Sequence, residues 1–318
     1  MTARLREADA PAAARSALAR YPAPVHWLVA VVQTARPRQW PKNLLVFAAP
    51  LAGASLGRND GLGYALAATA AFIAASAAVY FVNDVADAER DRQHPVKRFR
   101  AVASGRLPKT HALALAGLGI AVSLAAGFWI GEPRLSAVIG AYLVFSVLYS
   151  AVLKHVAVVE LAFVAAGFVL RALGGAIATH VPPSAWFLLV CSLGALMVAI
   201  AKRYTELAML DGDAARHRPV MRWYSPAMLR LSQRIVACAM ILAYLLWSTA
   251  ERNHWMAGWH LASALALGLA LVRFDQLTGQ AEGRPVEDLI TRDRLMIYCE
   301  LAWLGMFAVG LWARLHGT

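Results

Sequence analysis

A chain of 318 residues that is 59% hydrophobic and only 16% charged is too apolar for a water-soluble globule of this size. Its formal net charge of +12 would suggest nucleic acid in a soluble protein. Here the Lys and Arg fall in short blocks between apolar spans, the pattern of membrane topology, which excludes nucleic acid as a partner and makes membrane lipid the solvent.

The first residues, to about position 33, mix charges and prolines and contain no clean apolar core ahead of a small-residue cleavage site. A cytoplasmic tail is expected there and a signal peptide is not. Residues 34–318 then read as a single transmembrane catalytic domain. A bilayer takes about 20 apolar residues per helix, and nine candidate spans follow, at 44–57, 64–83, 111–130, 136–153, 157–178, 186–201, 233–250, 258–272 and 295–314, of which the first and eighth are short. Just before the first span stands Arg36-Pro37-Arg38-Gln39-Trp40-Pro41-Lys42-Asn43. A Trp among cations is ordinary interfacial anchoring, and Arg38, Lys42 and Asn43 equally suit a polar pocket.

The second span ends in Asn83-Asp84-Val85-Ala86-Asp87-Ala88-Glu89-Arg90-Asp91. If the helix continues past Asn83, Asp84, Asp87 and Asp91 fall at offsets of zero, three and seven on one face, with Asn83 one turn before Asp87 and Glu89 pointing elsewhere. Hard oxygen ligands converging on one spot suit Mg²⁺, which is commonly held by one or two carboxylates plus substrate phosphate oxygens and water. A solvated acidic helix end is the bland alternative. The loop that follows, His94-Pro95-Val96-Lys97-Arg98-Phe99-Arg100 to Ala103-Ser104-Gly105-Arg106, is shaped by Pro95 and Gly105 and sets cations beside the carboxylates. His94, Lys97, Arg98 and Arg100 are therefore candidates for phosphate oxygens, Arg as a fork and Lys as a point charge.

Tyr149 and Lys154 close the fourth span, and Lys154 either snorkels or binds phosphate. In the fifth, Glu160 and Arg171 share a face but lie roughly 16 Å apart along the axis. An Arg so deep marks a polar cavity or a buried acidic partner, for which Glu300 is the obvious candidate. The sixth span ends in Ala201-Lys202-Arg203-Tyr204-Thr205-Glu206-Leu207. With two cations first and Glu206 as the near carboxylate, this second half-site is built for an anion more than a metal, and the two ends form a faint repeat expected to face one cavity. Cys191, Cys238 and Cys299 lie in or beside apolar spans without paired spacing and read as packing residues.

Charge fixes an orientation. Seven Lys and Arg precede residue 44, seven more fall in 84–110, then come Lys154, seven in 202–234 and four in 273–294, against Arg58, Arg134 and Arg252 in the alternate loops. By the positive-inside rule the long polar loops, the N-terminus and the active site are cytoplasmic in a multi-pass plasma-membrane protein.

At Asn83 to Asp91 the sequence resembles the UbiA-type intramembrane prenyltransferase superfamily, whose first signature, Asn-Asp-x-x-Asp-x-x-x-Asp, it matches in full. The resemblance implies an all-α polytopic fold of about nine helices around a cytosol-facing cavity, with Asn83, Asp84, Asp87 and Asp91 on Mg²⁺. Further segments, RPRQWPKNLLVFAAPLA, HPVKRFRAVASG, LKHVAVVE, RALGGAIAT, PPSAWFLLV, AKRYTEL and PVEDLITRDRL, resemble the branch that transfers phosphoribose from 5-phosphoribosyl diphosphate (PRPP) to a polyprenyl phosphate such as decaprenyl phosphate. That branch implies a pentosyltransferase feeding a lipid-linked arabinose donor for cell-wall arabinan. It also implies substrate contacts from Arg38, Lys42, Asn43, Asn83, His94, Lys97, Arg98, Arg100, Lys154, Glu160, Arg171, Lys202, Arg203, Tyr204 and Glu206. Two departures from the superfamily are visible: the second Asp-rich motif at span six is absent, and Arg100-Ala101-Val102 stands where Arg-Pro-Ile is common. The first favours the phosphoribosyl branch over a prenyltransferase that alkylates an aromatic acceptor. A lipid transporter or flippase is the rival from another class, and against it the polar residues gather at one membrane face, Arg171 excepted. Prenyl length and homo-oligomer formation are left open.

Overall fold

In a computed structural model, residues 23–57, 60–209, 219–250, 254–280 and 286–316 are described. Most of the expected tail, the loop cations Arg58 and Arg252, and the charged run at 210–218 lie outside the described residues. The α-helices in chain order are α1 (Ala23–Ala35), α2 (Ala48–Ala52), α3 (Gly61–Ala86), α4 (Ala88–Gln93), α5 (Lys109–Trp129), α6 (Pro133–Ala151), α7 (Val159–Ala178), α8 (Ala185–Met209), α9 (Pro226–Ala250), α10 (His254–Gly279), α11 (Val286–Arg292) and α12 (Arg294–His316). Among the described residues there is no strand, and eight helices, α3, α5 to α10 and α12, are long and apolar enough to cross a bilayer. The chain is a multi-pass α-helical membrane protein, as the composition requires.

The expected span at 44–57 takes another form. Residues Pro37–Phe47 make a 3₁₀ helix that runs into the five-residue α2. Pro41 and Pro50 remove backbone donors and constrain the residues before them, so one long α-helix cannot pass through this stretch. Conversely, the eighth candidate, short at 258–272 by hydropathy, belongs to the 26-residue α10. Its polar last turns are carried by ion pairs: Arg230 to Asp275 at 3.0 Å, and Arg273 to Asp293 at 2.6 Å. Asp293 also caps α12, accepting the Met296 N–H at 2.9 Å. The Arg273 guanidinium, helped by this cap, holds the Asp293 carboxyl down at about 2. The boundary placed at residue 33 falls inside α1, whose apolar run starts the ordered helix ten residues earlier.

The helices form two compact units, residues 1–44 with 63–143, and residues 45–62 with 144–318. In the first, the core is made of small side chains: Ala30, Ala35, Ala78, Ala88, Ala101, Ala112 and Ala116 surround Phe81, Val102 and Leu107. α5 shows why. Its buried positions are Ala112, Ala116, Ser123 and Gly127, while Leu113, Leu118, Val122 and Trp129 are exposed. Lipid is as apolar as leucine, so large side chains gain nothing by turning inward, and close backbone approach through small residues provides the attraction. In the second unit α7, α8, α9, α10 and α12 pack around larger groups, among them Leu161, Met197, Met221, Leu229, Phe274 and Met296.

Gly175 on α7 meets the backbone of Val46 so closely that a Cβ built there would collide with the Val46 carbonyl oxygen, whereas a Cβ at Gly117 on α5 meets nothing within 4 Å. Gly175→Ala is therefore expected to cost about 1–3 kcal/mol through overpacking and to lower the melting temperature in detergent. Gly117→Ala should melt at or above the wild type, since alanine is the better helix former. Thermal melts of both variants by circular dichroism check this.

Candidate active site

The 26-residue α3 is about 39 Å long at 1.5 Å per residue, more than the roughly 30 Å hydrocarbon core. Its polar residues Asn83 and Asp84 gather in its last turn. The backbone continues into α4 with one change of pitch at Asp87, where the i→i−4 bonds are kept: Asp87 N–H to Asn83 at 2.9 Å and Asp91 N–H to Asp87 at 2.8 Å. At 3.6 residues per turn, Asp91 lies about 20° around the axis from Asp84, and Asp87 about 60°. The side chains follow. Asp84 and Asp91 are both buried and are bridged by one guanidinium, Arg100 Nη1 standing 3.5 Å from Asp84 Oδ1 and 2.7 Å from Asp91 Oδ2. Asp87 is half-buried and pairs with the exposed Arg90 at 3.4 Å. Glu89 points away as expected, to Arg92 at 2.7 Å and Lys109 at 2.9 Å, and the Lys109 hydrogen bond holds its carboxyl below the usual range.

A second arginine completes the group. Arg36 Nη2 lies 2.7 Å from Asp84 Oδ1 and its guanidinium sits 4.5 Å above the Tyr80 ring. Arg36 joins α1 to the 3₁₀ helix with φ of 52°, a backbone region that costs a non-glycine residue on the order of 1–3 kcal/mol and collects at functional sites. Sequence reasoning passed over Arg36 in favour of its neighbours. Of these, Arg38 is exposed, Lys42 is half-buried, and Asn43 is buried in the unit, donating to the Trp40 carbonyl at 3.2 Å and accepting from Ser76 at 3.3 Å. Asn43 thereby fastens the 3₁₀ segment to α3.

The basic loop is ordered. His94 Nδ1 accepts the N–H groups of Val96 and Lys97, both at 3.2 Å, which leaves Nε2 as the donor. Lys97 and Arg98 are exposed, with Arg98 lying over the Phe99 ring. Gly105 turns the chain at φ of 79°, and the Ala101-Val102-Ala103 stretch is core. A cleft of about 210 Å³ opens between loop and helix, lined by Gln33, Arg36, Asp84, Phe99, Arg100 and Arg106 among others. Three arginines and one carboxylate line it. Its volume is below the roughly 300–1,000 Å³ of whole-ligand pockets, so it suits a phosphate or diphosphate group.

The second half-site lies in the other unit. Arg203 is buried, with its Nε 2.7 Å from Glu160 Oε1, its Nη1 on Glu206 and its Nη2 3.3 Å from the Tyr149 hydroxyl. Glu160 is fully buried. Tyr224, which the sequence reading did not single out, hydrogen-bonds Glu160, and its hydroxyl accepts the Val158 N–H at 2.9 Å. Burial pushes the Tyr224 hydroxyl above its ordinary range. The Val158 bond holds a β-branched residue at φ of 65°, another costly conformation. Arg203 is thus matched by two carboxylates, while Lys202 is exposed and Lys154 half-buried. Tyr204 lies under the Arg230 guanidinium at 5.5 Å. Arg171, buried, donates to the Gly167 carbonyl at 2.6 Å and lies over Phe168.

Among the described residues no three His, Cys, Asp or Glu side chains gather as a ready metal cage. The donors still fit a hard divalent ion. Two buried carboxylates already share one cation between them in Arg100, and one or two carboxylates plus substrate oxygens and water are what Mg²⁺ ordinarily takes.

With the fold and the two polar clusters in view, the chain belongs to the UbiA prenyltransferase family, whose model matches residues 44–286. It is 38% identical over 286 residues to the decaprenyl-phosphate phosphoribosyltransferase of Mycobacterium tuberculosis, covering 88% of this chain and 94% of that one. It is 35% identical over 302 residues to the protein of the same name from Mycolicibacterium smegmatis, covering 91% and 94%. The fold is shared with a UbiA homologue from Archaeoglobus fulgidus solved with GPP and Mg²⁺, at a TM-score of 0.66 and 15% identity over 89% of this chain and 98% of that one.

The Arg203 cluster gives a test of its own. Arg203→Met leaves Glu160 buried without its cation and is expected to cost about 3–5 kcal/mol. The double variant with Glu160→Gln removes the stranded charge and should regain a large part of that loss. Melting temperatures of the two singles and the double in detergent form the cycle.

Proposed function

We propose that the protein transfers phosphoribose from PRPP to decaprenyl phosphate or a similar polyprenyl phosphate, releasing pyrophosphate, with Mg²⁺ as the metal. The observation that carries this reading is the near end-to-end identity with two proteins named decaprenyl-phosphate phosphoribosyltransferase. The arginine-lined cleft beside Asp84 supports it, since its size and charge suit a diphosphate. The block distribution of Lys and Arg supports a cytoplasmic active site in the plasma membrane. The product would enter synthesis of a lipid-linked arabinose donor.

The chemistry asks little proton transfer of the protein. A phosphate monoester with a second pKa of about 6 is largely dianionic near neutral pH, so the lipid phosphate is its own nucleophile. One of its oxygens forms the bond to the anomeric carbon of ribose as the bond from that carbon to the diphosphate oxygen breaks. A divalent ion held by Asp84 and Asp91, with Asn83 and Asp87 beside them, would offset charge on the departing pyrophosphate. Arg36, Arg100 and Arg106 bind its remaining oxygens, and Lys97, Arg98 and the His94 Nε2–H serve the 5-phosphate. Arg38 and Lys42 add charge at the same end of the unit. In the second unit Lys202 and Lys154 carry charge that suits a phosphate. Arg203, neutralised by Glu160 and Glu206, positions the end of α8 that carries Lys202. Catalysis by such a site is positioning and electrostatic stabilisation of a leaving group.

Purified protein given labelled PRPP, decaprenyl phosphate and Mg²⁺ is expected to yield a labelled lipid, and a parallel assay with prenyl diphosphate and an aromatic acid no product. Asp84→Asn and Asp91→Asn should each lower turnover by at least about 10² while still folding in detergent, at a lower melting temperature because a guanidinium loses its carboxylate. Lys202→Ala should raise KM for the lipid phosphate more than it lowers kcat. Product in the prenyl assay alone would reject the reading.

A further inference from the structure

Asp84 and Asp91 do not face open solvent. Arg36 holds Asp84 at 2.7 Å, and Arg100 holds Asp91 at 2.7 Å while reaching Asp84 at 3.5 Å. Two buried carboxylates are thus matched by two guanidinium groups, and the site's charge is balanced by the chain itself. A divalent ion arriving alone would meet no uncompensated anion. It would have to displace cations that already satisfy the carboxylates, and the displaced guanidinium groups would stand beside it. A diphosphate changes this balance. The same Arg36 and Arg100 line the cleft with Arg106, and both are partly exposed on that side, their side chains 33% and 31% accessible. Each is a fork that takes two phosphate oxygens as readily as two carboxylate oxygens. Arg36 is already seated by its stack on Tyr80 and its turn at φ of 52°, so a small swing of the side chain suffices.

We infer that Arg36 and Arg100 are exchangeable cations: they neutralise Asp84 and Asp91 until a diphosphate takes them, and only then are the carboxylates free for a divalent ion. Metal and diphosphate therefore bind as a pair, each improving the other's affinity by the same factor, as linkage requires. The consequence is selectivity. The site rejects free divalent cations, and rejects anions that bring no metal, because either one alone leaves charges unmatched in a buried place. This deepens the proposed reading of the site as one for a metal-bound diphosphate and rests on it. It does not depend on which organic group the diphosphate carries.

The test is binding, with the full-length protein in detergent. Free Mn²⁺ is titrated by electron paramagnetic resonance, and the preformed Mn²⁺–pyrophosphate complex by calorimetry, against wild type, Arg36→Gln, Arg100→Gln and Asp84→Asn. The expected result is a change of opposite sign: each arginine variant binds Mn²⁺ alone about tenfold more tightly and the Mn²⁺–pyrophosphate complex about tenfold more weakly, within the range of ordinary coupling between sites. A purely structural role would weaken both, and a simple phosphate contact would leave Mn²⁺ alone unchanged; either outcome overturns the exchange. Should one arginine variant fail to fold, the other carries the comparison. The wild type adds its own arm, because pyrophosphate that does not improve the protein's hold on Mn²⁺ also overturns it. Asp84→Asn separates the two levels. If it binds the complex as the wild type does, the site assignment itself fails. If it loses the complex while the arginine variants show no change of opposite sign, the site assignment stands and the exchange is rejected.

Discussion

The contact on which the site depends is the bridge from Arg100 to Asp84 and Asp91. Two carboxylates at the end of a membrane helix, both withdrawn from solvent, carry a desolvation cost that is met only by cations held close. Arg100 and Arg36 meet it, and in doing so they fix the geometry around them. Arg100 ties the 97–107 loop to the junction of α3 and α4, and that loop in turn buries Ala101, Val102 and Leu107 in the core of small residues. Arg36 ties α1 to α3 through the same Asp84. Unsatisfied, those carboxylates would have to turn outward, and loop, junction and first helix would lose the point that joins them.

The packing beneath follows from the solvent. In water, core formation is driven by large apolar groups leaving the solvent; in lipid that drive is gone, and helices associate where small residues let backbones touch. The stripe Ala112, Ala116, Ser123 and Gly127 on α5 and the close approach of Gly175 to Val46 are products of that rule. Such contacts are rigid, since backbone meets backbone with no long side chain to adjust. A rigid frame is what a reaction run by positioning needs, because the charges that stabilise pyrophosphate have to be in place before it departs.

How far the sequence spoke for itself depended on whether the signal was local. The acidic motif was legible because helix geometry is fixed: offsets of zero and seven bring Asp84 and Asp91 nearly into line. The same geometry held a warning, since offset three leaves Asp87 well around the axis, and the structure turns it to Arg90. The long helices were legible from hydropathy, and the break at Pro41 and Pro50 was in plain view but outweighed by the apolar run around it. Arg36 was not legible. Its importance comes from a left-handed backbone turn at a non-glycine residue and from a partner 48 residues away, and neither leaves a periodic trace. Glu160 was found as a charge in an apolar span and Arg203 at the charged end of the next, but their mutual pairing was not, because contacts between α7 and α8 are set by packing angle rather than spacing. Tyr224 was missed for the same reason.

The two polar clusters differ in how each charge is matched. In the first unit two carboxylates meet two arginines that also line an open cleft, so every partner has somewhere else to go when an anion arrives. In the second, Arg203 is buried between Glu160 and Glu206, with Tyr149 and Tyr224 beside them. Its partners are committed. Glu206, the near carboxylate that α8 offers in place of an Asp-rich motif, is paired with that arginine. Lys202 beside it is exposed, a point charge on a flexible stem rather than a matched fork.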